Sequence, residues 1–206
     1  VSIIRRIYPS EWGIPNKGGV TYSNNLKQFF LLKKGKADQD ATGSMIVALS
    51  PYEQLTDRLQ LDFTIDDATN SAFDDGSNSL FLFKNNPDQL IQIMLGANQK
   101  LDLTTQRSFN LDSLGIRNAE GLEIDLARRM LLIWDRKSAQ LLQIPLNGNT
   151  PDLATVSRVD LKQWAQVKLR GLALNPANQH LYSISGDKTL IYEFTTSGQL
   201  VTTYST

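Results

Sequence analysis

The sequence contains no cysteine and only one histidine, His180. Without cysteine the chain has no disulfide bonds and no thiolate metal sites, and one histidine cannot supply the ligands of a catalytic zinc centre. A serine–histidine–aspartate triad would need His180, which we expect in a solvent-exposed turn. The sequence also lacks a G-x-S-x-G elbow, a Walker loop and a dinucleotide-binding fingerprint. These absences leave the common catalytic classes without support.

The chain also lacks net charge and long hydrophobic runs. Its 21 basic and 21 acidic residues cancel, whereas nucleic-acid-binding domains usually carry a net positive face, so we predict no nucleic-acid partner. No apolar run approaches the ~18 residues that span a bilayer, which predicts no transmembrane segment. Zero cysteine fits an exported bacterial protein as well as a cytosolic one. Because the chain starts at Val1 rather than methionine, we favour removal of a leader or a longer upstream part, and we predict an extracellular or periplasmic location.

What the sequence does contain is an internal repeat of about fifty residues. Its four copies start at Gly19, Asn70, Gly121 and Gly171, at intervals of 51, 51 and 50 residues. Ten and eleven positions after each start stands a hydrophobic pair: Phe29–Phe30, Leu80–Phe81, Leu131–Leu132 and Leu181–Tyr182. Four positions after each start stands a turn-forming or capping residue: Ser23, Asp74, Asp125 and Asn175. The agreement needs no gaps, so the repeat indicates one structural unit used four times.

Each copy is interpreted as four short strands. In the last copy we predict strands over 171–175, 180–185, 189–194 and 200–205, separated by Ser-Gly turn signals. The continuous run Met130–Trp134 indicates a strand covered on both faces, although a helix over Leu126–Trp134 is an alternative. Four-stranded units repeating in series predict an all-β fold, a β-propeller of four-stranded antiparallel blades with about four blades present. A β-sandwich is the alternative architecture.

The repeat also predicts how the blades are arranged. The innermost strand of each blade starts at the repeat start, where glycine lets backbones approach closely, and Asn70 replaces glycine because asparagine tolerates positive φ. Residues 1–8 are predicted to form the outer strand of a blade. We therefore expect one domain over 1–206 that is either part of a longer propeller or a closed set of four blades with this strand over a seam. We favour an incomplete arc, with the remaining blades or a protein partner completing it.

Several segments resemble known propellers. Residues 14–32 and 170–185 resemble the strand pair of NHL-type propellers, which include the bacterial SdiA-regulated family and the gluconolactonase-like group. Residues 117–135 resemble an element of the SdiA-regulated propellers, with Asn118 where that family prefers aspartate. Residues 36–55 resemble a first-blade insertion in propeller modules of secreted RTX-type bacterial proteins. The resemblance implies an NHL-type propeller of the six-bladed kind and no particular activity.

The first candidate site is the axial mouth of the propeller, where residues just before the inner strands converge. These ligand-binding candidates are Asn16, Asp67, Asn118, Glu120, Lys168 and Arg170. Gluconolactonase-like propellers hold a divalent cation in a comparable place with a Glu, an Asp and amide oxygens, so the resemblance implies a candidate Ca²⁺ position. Lys168 and Arg170 would repel a cation. We therefore favour an ion pair between Glu120 and one of these two bases.

A second candidate metal site is the segment DQDATG, in which Asp38, Asp40 and Thr42 precede Gly43. Their spacing matches the first positions of a calcium-binding loop, but Leu49 stands where an EF-hand has its bidentate glutamate. The alternative is an exposed polar insertion. A third acidic run, Asp66–Asp67 with Asp74–Asp75, is better explained by turn formation. Ca²⁺ is the one cofactor that the sequence suggests.

Two function hypotheses remain. The first is a non-catalytic β-propeller binding or scaffold module within a larger exported bacterial protein or assembly, and a peptide or carbohydrate reader cannot be separated from it by sequence. The second is a calcium-dependent hydrolase of the gluconolactonase-, esterase- or phytase-like propeller kind, suggested by the acidic and amide residues of the mouth.

Overall fold

A computed structural model describes residues 8–14, 19–33, 44–65, 70–84, 87–116 and 118–205. Blade 1 consists of β1 (Val20–Ser23), β2 (Gln28–Lys33), β3 (Met45–Leu49) and β4 (Leu55–Gln60). Blade 2 consists of β5 (Ser71–Asp74), β6 (Ser79–Lys84), β7 (Gln89–Met94) and β8 (Arg107–Asn110). Blade 3 consists of β9 (Ala119–Asp125), β10 (Met130–Asp135), β11 (Gln140–Asn147), the two-residue β12 (Thr150–Pro151) and β13 (Ser157–Asp160). Blade 4 consists of β14 (Leu169–Asn175), β15 (His180–Ser185), β16 (Leu190–Thr195) and β17 (Leu200–Ser205).

The predicted fold class is confirmed. Each sheet is antiparallel and its strands pair in chain order, and in blade 3 both β12 and β13 pair with β11. The fold is an all-β propeller with four blades. Short 3₁₀ helices occur at Pro9–Trp12, Leu103–Thr105, Asp112–Leu114 and Lys162–Trp164. The helix considered over Leu126–Trp134 is not formed, because Met130–Asp135 is the second strand of blade 3. Within the described ranges, no helix is long and apolar enough to cross a membrane.

The strand register repeats from blade to blade. In each blade the residue three positions after the repeat start pairs with the residue ten positions after it: Tyr22–Phe29, Phe73–Leu80, Ile124–Leu131 and Leu174–Leu181. Eight positions after each start, the hairpin turn contains a left-handed residue: Lys27, Asn78, Arg129 and Gln179, with φ of 53°, 51°, 54° and 59°. The sequence repeat is therefore a repeat of backbone conformation.

The predicted turn residues act as expected. The side-chain oxygen of each one accepts a backbone N–H inside the turn: Ser23 from Leu26, Asp74 from Gly76, Asp125 from Arg128 and Asn175 from Ala177, at 2.9–3.1 Å. Such a bond satisfies a turn amide that has no partner in the sheet. The hairpins are therefore closed by local hydrogen bonds that the sequence specifies.

The chain divides into two compact units, Val1–Asn110 with blades 1 and 2 and Leu111–Thr206 with blades 3 and 4. In the first unit, the Phe30 and Phe73 rings stack at 5.0 Å between blades 1 and 2. The residues around them from blade 1 are Leu32, Ile46 and Ala48, and those from blade 2 are Leu80, Leu82, Ile91 and Ile93. On the other face of blade 1, Ile14 and Trp12 pack on Leu31, Val47 and Leu49. The prediction of one domain over 1–206 remains a prediction.

The second unit has a larger aromatic core. Trp134, Trp164 and Phe194 meet there, and the indole of Trp164 lies edge-on to Tyr192 at 5.7 Å. Trp164 Nε1 donates to the carbonyl of Gly198 at 2.9 Å. The side chain of Trp134 is only 2% exposed, as its position in a continuous apolar strand predicts. This core joins blades 3 and 4.

The inner strands of blades 3 and 4 approach each other closely at Gly121. A Cβ atom at Gly121 would lie 2.7 Å from Cβ of Leu172 and 3.1 Å from its backbone nitrogen. Gly171 differs, because it has open space around it but a φ of +67° at a β-bulge. The repeat-start glycines of this unit therefore serve two purposes, close approach at Gly121 and positive φ at Gly171.

The outer strand predicted over 200–205 of blade 4 is confirmed as β17, whereas the one predicted in blade 1 is misplaced. We expected an outer strand over 59–63 in blade 1, but β4 covers Leu55–Gln60. The outer strand predicted over 1–8 falls, except for Tyr8, outside the described residues, and Tyr8 is not in a strand. The calcium-loop candidates Asp38, Asp40 and Thr42 also lie outside the described residues.

Candidate functional site

Two residues of the predicted axial mouth, Asn118 and Glu120, lie next to each other at the start of β9. Asn118 Nδ2 donates to Glu120 Oε1 at 3.1 Å, and Arg136 Nε lies 3.4 Å from the same oxygen. The expected ion pair of Glu120 with Lys168 or Arg170 is thus replaced by one with Arg136. The reason is local: Asp135 pairs with Ala119 through a β-bulge, which brings the end of β10 against Glu120.

The two predicted bases of the mouth have different surroundings. Lys168 Nζ lies 3.4 Å from Asp187 Oδ2. A hydrogen bond from Ser185, followed by the interaction with Lys168, lowers the pKa of Asp187. Arg170 is exposed, pairs in register with Ile184 and runs along Gly186. Of the three charged mouth candidates that the structure describes, Glu120, Lys168 and Arg170, only Arg170 has no ion pair with a described residue, so its guanidinium is available to a ligand.

A cation site is not assembled by the part of the chain that the structure describes. No group of three or more acidic or histidine side chains there is arranged to hold a metal ion. Asn16 and Asp67, the other two mouth candidates, lie outside the described residues. The Ca²⁺ hypotheses therefore stay predictions.

The acidic pair Asp74–Asp75 is used in turns, as expected. Asp74 accepts from Gly76 and Ser77 within its own hairpin. Asp75 reaches the first hairpin of blade 1, where it accepts the Ser23 hydroxyl and the backbone N–H of Asn24 at 2.8 Å. These contacts occupy the oxygens with protein donors, and they join the hairpins of blades 1 and 2.

The sequence interpretation missed Glu123, a carboxylate between the inner strands β9 and β14. Glu123 Oε2 accepts the backbone N–H of Leu174 at 3.2 Å, and Oε1 accepts that of Ile124 at 2.8 Å. In the other unit Thr21 Oγ1 accepts the N–H of Phe73 at 3.0 Å from the equivalent position. Burial raises the pKa of Glu123 to about 7. The sequence could have indicated Glu123, because it is the one charged residue at a repeat position that Thr21, Ala72 and Ala173 occupy in the other copies.

The raised pKa gives a prediction for Glu123→Gln. The carboxyl group of Glu123 has a pKa near 7 in the folded chain and 4.5 in the unfolded chain. The free energy of unfolding therefore falls as the pH rises from 4.5 to 7, because the carboxyl group loses its proton more easily in the unfolded chain. We expect wild type and variant to be equally stable at pH 4. At pH 8 the variant should be the more stable by about 1–3 kcal/mol, the upper value applying if solvent does not screen the charge.

Urea unfolding at pH 4, 6 and 8 measures this difference. Glu11→Gln, at an exposed glutamate of the other unit, is the control and should leave the pH profile unchanged. A Glu123→Gln variant that is less stable than wild type at pH 8 would show that the two accepted hydrogen bonds outweigh desolvation.

His180 is not the solvent-exposed turn histidine that the sequence predicted, because it is the first residue of β15 and is half-buried. Its Nδ1 lies 2.7 Å from Glu193 Oε1, and the Tyr204 hydroxyl donates to Glu193 Oε2. Asn178 Nδ2 adds a bond to Glu193 Oε1 at 3.2 Å. In blade 2, Ser79 and Gln92 stand at the repeat positions of His180 and Glu193, and Gln92 donates to Ser79 Oγ at 2.9 Å. A polar pair therefore recurs at this place, and blade 4 has the charged version of it.

The hydrogen bond from Tyr204, followed by that from His180, lowers the pKa of Glu193 to about 2, and the same bond raises the pKa of Tyr204 to about 12. A lowered carboxyl pKa contributes stability above the unfolded value of 4.5 that is lost as the pH falls toward 2. We expect Tyr204→Phe to raise the pKa of Glu193 in an NMR titration of its carboxyl carbon. Tyr52→Phe, at an exposed tyrosine of blade 1, is the control. An unchanged titration in Tyr204→Phe would contradict the hydrogen bond.

The network lies on a sheet face of blade 4 that we call the forward face, made of His180, Tyr182, Ile184, Ile191, Glu193, Thr202 and Tyr204. Its apolar part is accessible, since Ile184 is 56% and Tyr204 40% exposed. In each unit the equivalent face of the first blade is buried by the second: Phe30, Leu32 and Ala48 in blade 1, and Leu132, Trp134 and Leu141 in blade 3. The forward face thus has the position of a blade-to-blade contact surface.

Comparison with known proteins supports the fold. No known protein family and no curated protein matches the sequence. Among solved structures, a periplasmic gluconolactonase of Pseudomonas aeruginosa is similar, with TM-score 0.61 and 12% identity over 93% of this chain. A candidate 6-phosphogluconolactonase of Bacteroides uniformis follows with TM-score 0.59 and 12% identity over 93%. A luciferin-regenerating enzyme has TM-score 0.56 and 13% identity over 82%.

These likenesses, at such low identity, show the fold alone. The chain spans 58%, 57% and 53% of the lengths of those three proteins. The resemblance to NHL-type, SdiA-regulated and RTX-associated propellers remains a prediction, because no family match accompanies it.

Proposed function

We propose that the chain is a non-catalytic β-propeller module that binds a further propeller blade through the forward face of blade 4. The blade belongs either to the rest of a larger protein or to a partner chain. The observation that carries the proposal is the exposed apolar surface around Ile184 on a face that blades 1 and 3 use for blade contacts. Exposed apolar surface of this kind is typical of interaction sites. The partial coverage of the similar structures supports it.

The chemistry of the occupant follows from the blade contacts already present. The surfaces that cover blades 1 and 3 are rows of aliphatic and aromatic side chains: Leu80, Leu82, Ile91 and Ile93 in blade 2, and Leu181, Tyr192 and Phe194 in blade 4. We expect the occupant to present such a row against Ile184 and Ile191. At the His180–Glu193 pair it should present a small or hydrogen-bonding residue, because burying this pair against purely apolar groups is costly.

The proposal includes an exported location. The absence of cysteine is compatible with it, and one similar structure is described as periplasmic.

The test is photo-crosslinking from position 184 in the producing organism, with peptide mapping of the product. A crosslinker that replaces Ile184 should join an apolar strand of a propeller repeat, and the additional substitution Ile191→Lys should abolish the product. The matched control places the crosslinker at Tyr52, an exposed turn residue of blade 1. A yield at position 184 no greater than at position 52, or products in unrelated segments only, would overturn the proposal.

The second candidate is a calcium-dependent hydrolase. Two of the similar structures have lactonase names, and burial raises the pKa of Glu123 to about 7, a value that suits general acid–base catalysis. In this case Glu120 would be a ligand of the cation. Glu120→Gln should then remove both a Ca²⁺-induced rise in melting temperature and the hydrolysis of gluconolactone. Glu11→Gln is the control, and calcium-independent melting with no hydrolysis by wild type would exclude this candidate.

A further inference from the structure

A cavity of about 150 Å³ lies in the first unit, between the outer strands of blade 1 and the loop that connects β7 to β8 of blade 2. Its apolar wall contains Phe30, Ile46, Ala48, Leu59 and Leu101. These residues come from the hydrophobic core or its margin. The Phe30 ring is held in place by stacking on Phe73. The cavity therefore reaches the hydrophobic core on one side and opens to solvent on the other, where the exposed residues Asn98, Gln99 and Lys100 line it.

One wall residue, Thr56, has an unsatisfied group. Its Oγ1 is buried and has no hydrogen-bond partner among the described residues. A buried hydroxyl without a partner is destabilising and uncommon in native proteins. A ligand with its own hydroxyl group would satisfy it after a rotation about the Thr56 side-chain bond.

The rim of the cavity is polar and electrically balanced. Lys100 Nζ lies 3.1 Å from Asp57 Oδ1 at the rim, and Gln28 and Asn98 also line it. Since the two charges neutralise each other, the rim offers no net attraction to a charged ligand. A neutral ligand is favoured.

The connecting loop is held in shape before any ligand arrives. Gly96 N donates to the Lys100 carbonyl at 2.8 Å, and Lys100 N donates to Asn98 Oδ1 at 3.0 Å. The next turn is fixed by Asp102, which accepts from the backbone N–H of Thr104 at 2.9 Å. Preformed walls reduce the ordering cost of binding.

We propose that this cavity binds a small neutral aromatic alcohol or phenol, whose ring contacts Phe30 and Ala48 and whose hydroxyl pairs with Thr56 Oγ1. The size argues for a single ring, because about 150 Å³ is enough for benzene, and the apolar wall around Phe30 and Ala48 is the part that would contact it. The unsatisfied hydroxyl argues for one polar group on that ring. For a ligand of seven heavy atoms the dissociation constant is expected on the order of 1 mM.

Phenol, benzene and benzoate are the probes. Binding to the purified full chain is followed by amide chemical shifts, and shifts at Ala48, Thr56 and Leu101 would locate the site. Phenol should bind about tenfold more tightly than benzene, which is the effect of one hydrogen bond, and benzoate should not bind. Equal affinities for phenol and benzene, or shifts elsewhere only, would overturn the proposal.

Two variants test the ring contact and the hydrogen bond to Thr56 separately. Thr56→Val keeps the shape of the wall and should lower phenol affinity about tenfold, to that of benzene. Ala48→Leu fills the cavity and should remove binding of both. Thr203→Val, an exposed strand threonine of blade 4, is the matched control and should change nothing.

Melting curves check that each variant is folded. If Ala48→Leu does not fold, Ala48→Val takes its place and should lower both affinities in parallel. Unchanged phenol affinity in Thr56→Val contradicts the proposal even if the cavity-filling variant blocks binding, because the hydroxyl pairing would then be absent.

Discussion

Replacing Trp134 with alanine should lower the free energy of unfolding of the second unit by about 3–5 kcal/mol, the usual cost of deleting a buried tryptophan side chain. The indole is 2% exposed and lies in the core that joins blades 3 and 4. Its removal would leave a cavity at that joint, because neighbours such as Leu132 and Leu141 are fixed in paired strands and cannot move to fill it.

Trp134→Phe is the matched comparison. The Nε1 atom of Trp134 is buried and has no hydrogen-bond partner in the described chain, so phenylalanine loses part of the buried area but also removes an unsatisfied N–H group. We expect Trp134→Phe to cost less than half as much as Trp134→Ala. Urea unfolding followed by circular dichroism measures both, and a similar cost for the two would show that the indole nitrogen contributes to stability.

The second large effect is expected for Gly121→Ala. The added methyl group would lie 2.7 Å from Cβ of Leu172, a separation that the two inner strands can relieve only by moving apart. Overpacking of this kind costs about 1–3 kcal/mol. We expect the upper part of that range, because the backbone nitrogen of Leu172 and the carbonyl carbon of Gly171 also lie only 3.1 and 3.2 Å from the added atom.

Gly171→Ala provides the control for Gly121→Ala, because both glycines begin a repeat and lie in adjacent inner strands. Gly171 has no atom within 4 Å of an added Cβ but has a φ of +67°, so alanine there should cost about 1–2 kcal/mol from backbone strain alone. The same urea titration ranks the two. A Gly121→Ala cost below that of Gly171→Ala would mean that the inner strands separate easily.

The inner parts of the blades could be predicted from the sequence, because they are specified locally. A hydrophobic pair, a capping side chain and a turn recur at fixed positions, and the pairing of Leu174 with Leu181 follows from them. Outer strands are harder. None of the residues of β4 is buried, so it has no apolar pattern to mark its ends, which is why the strand expected over 59–63 of blade 1 was displaced.

Partners of charged residues were predicted less well than strands. Glu120 meets Arg136 because of a bulge between Trp134 and Asp135, and no residue pattern in the sequence announces that bulge. Glu193 and His180 come together across adjacent strands. The register alone places Tyr182 opposite Glu193, so finding the network needed side-chain directions as well as strand pairing.

Thr21 and Glu123 have a further consequence for the state of the protein in concentrated solution. In blades 2 and 4 the inner strands β5 and β14 pair with only one neighbouring strand, and a strand edge with free N–H groups can recruit a strand from another molecule. Thr21 occupies the N–H of Phe73, and Glu123 occupies that of Leu174. We therefore expect these two oxygens to hinder intermolecular β-sheet growth, the first step of aggregation, at these strand edges.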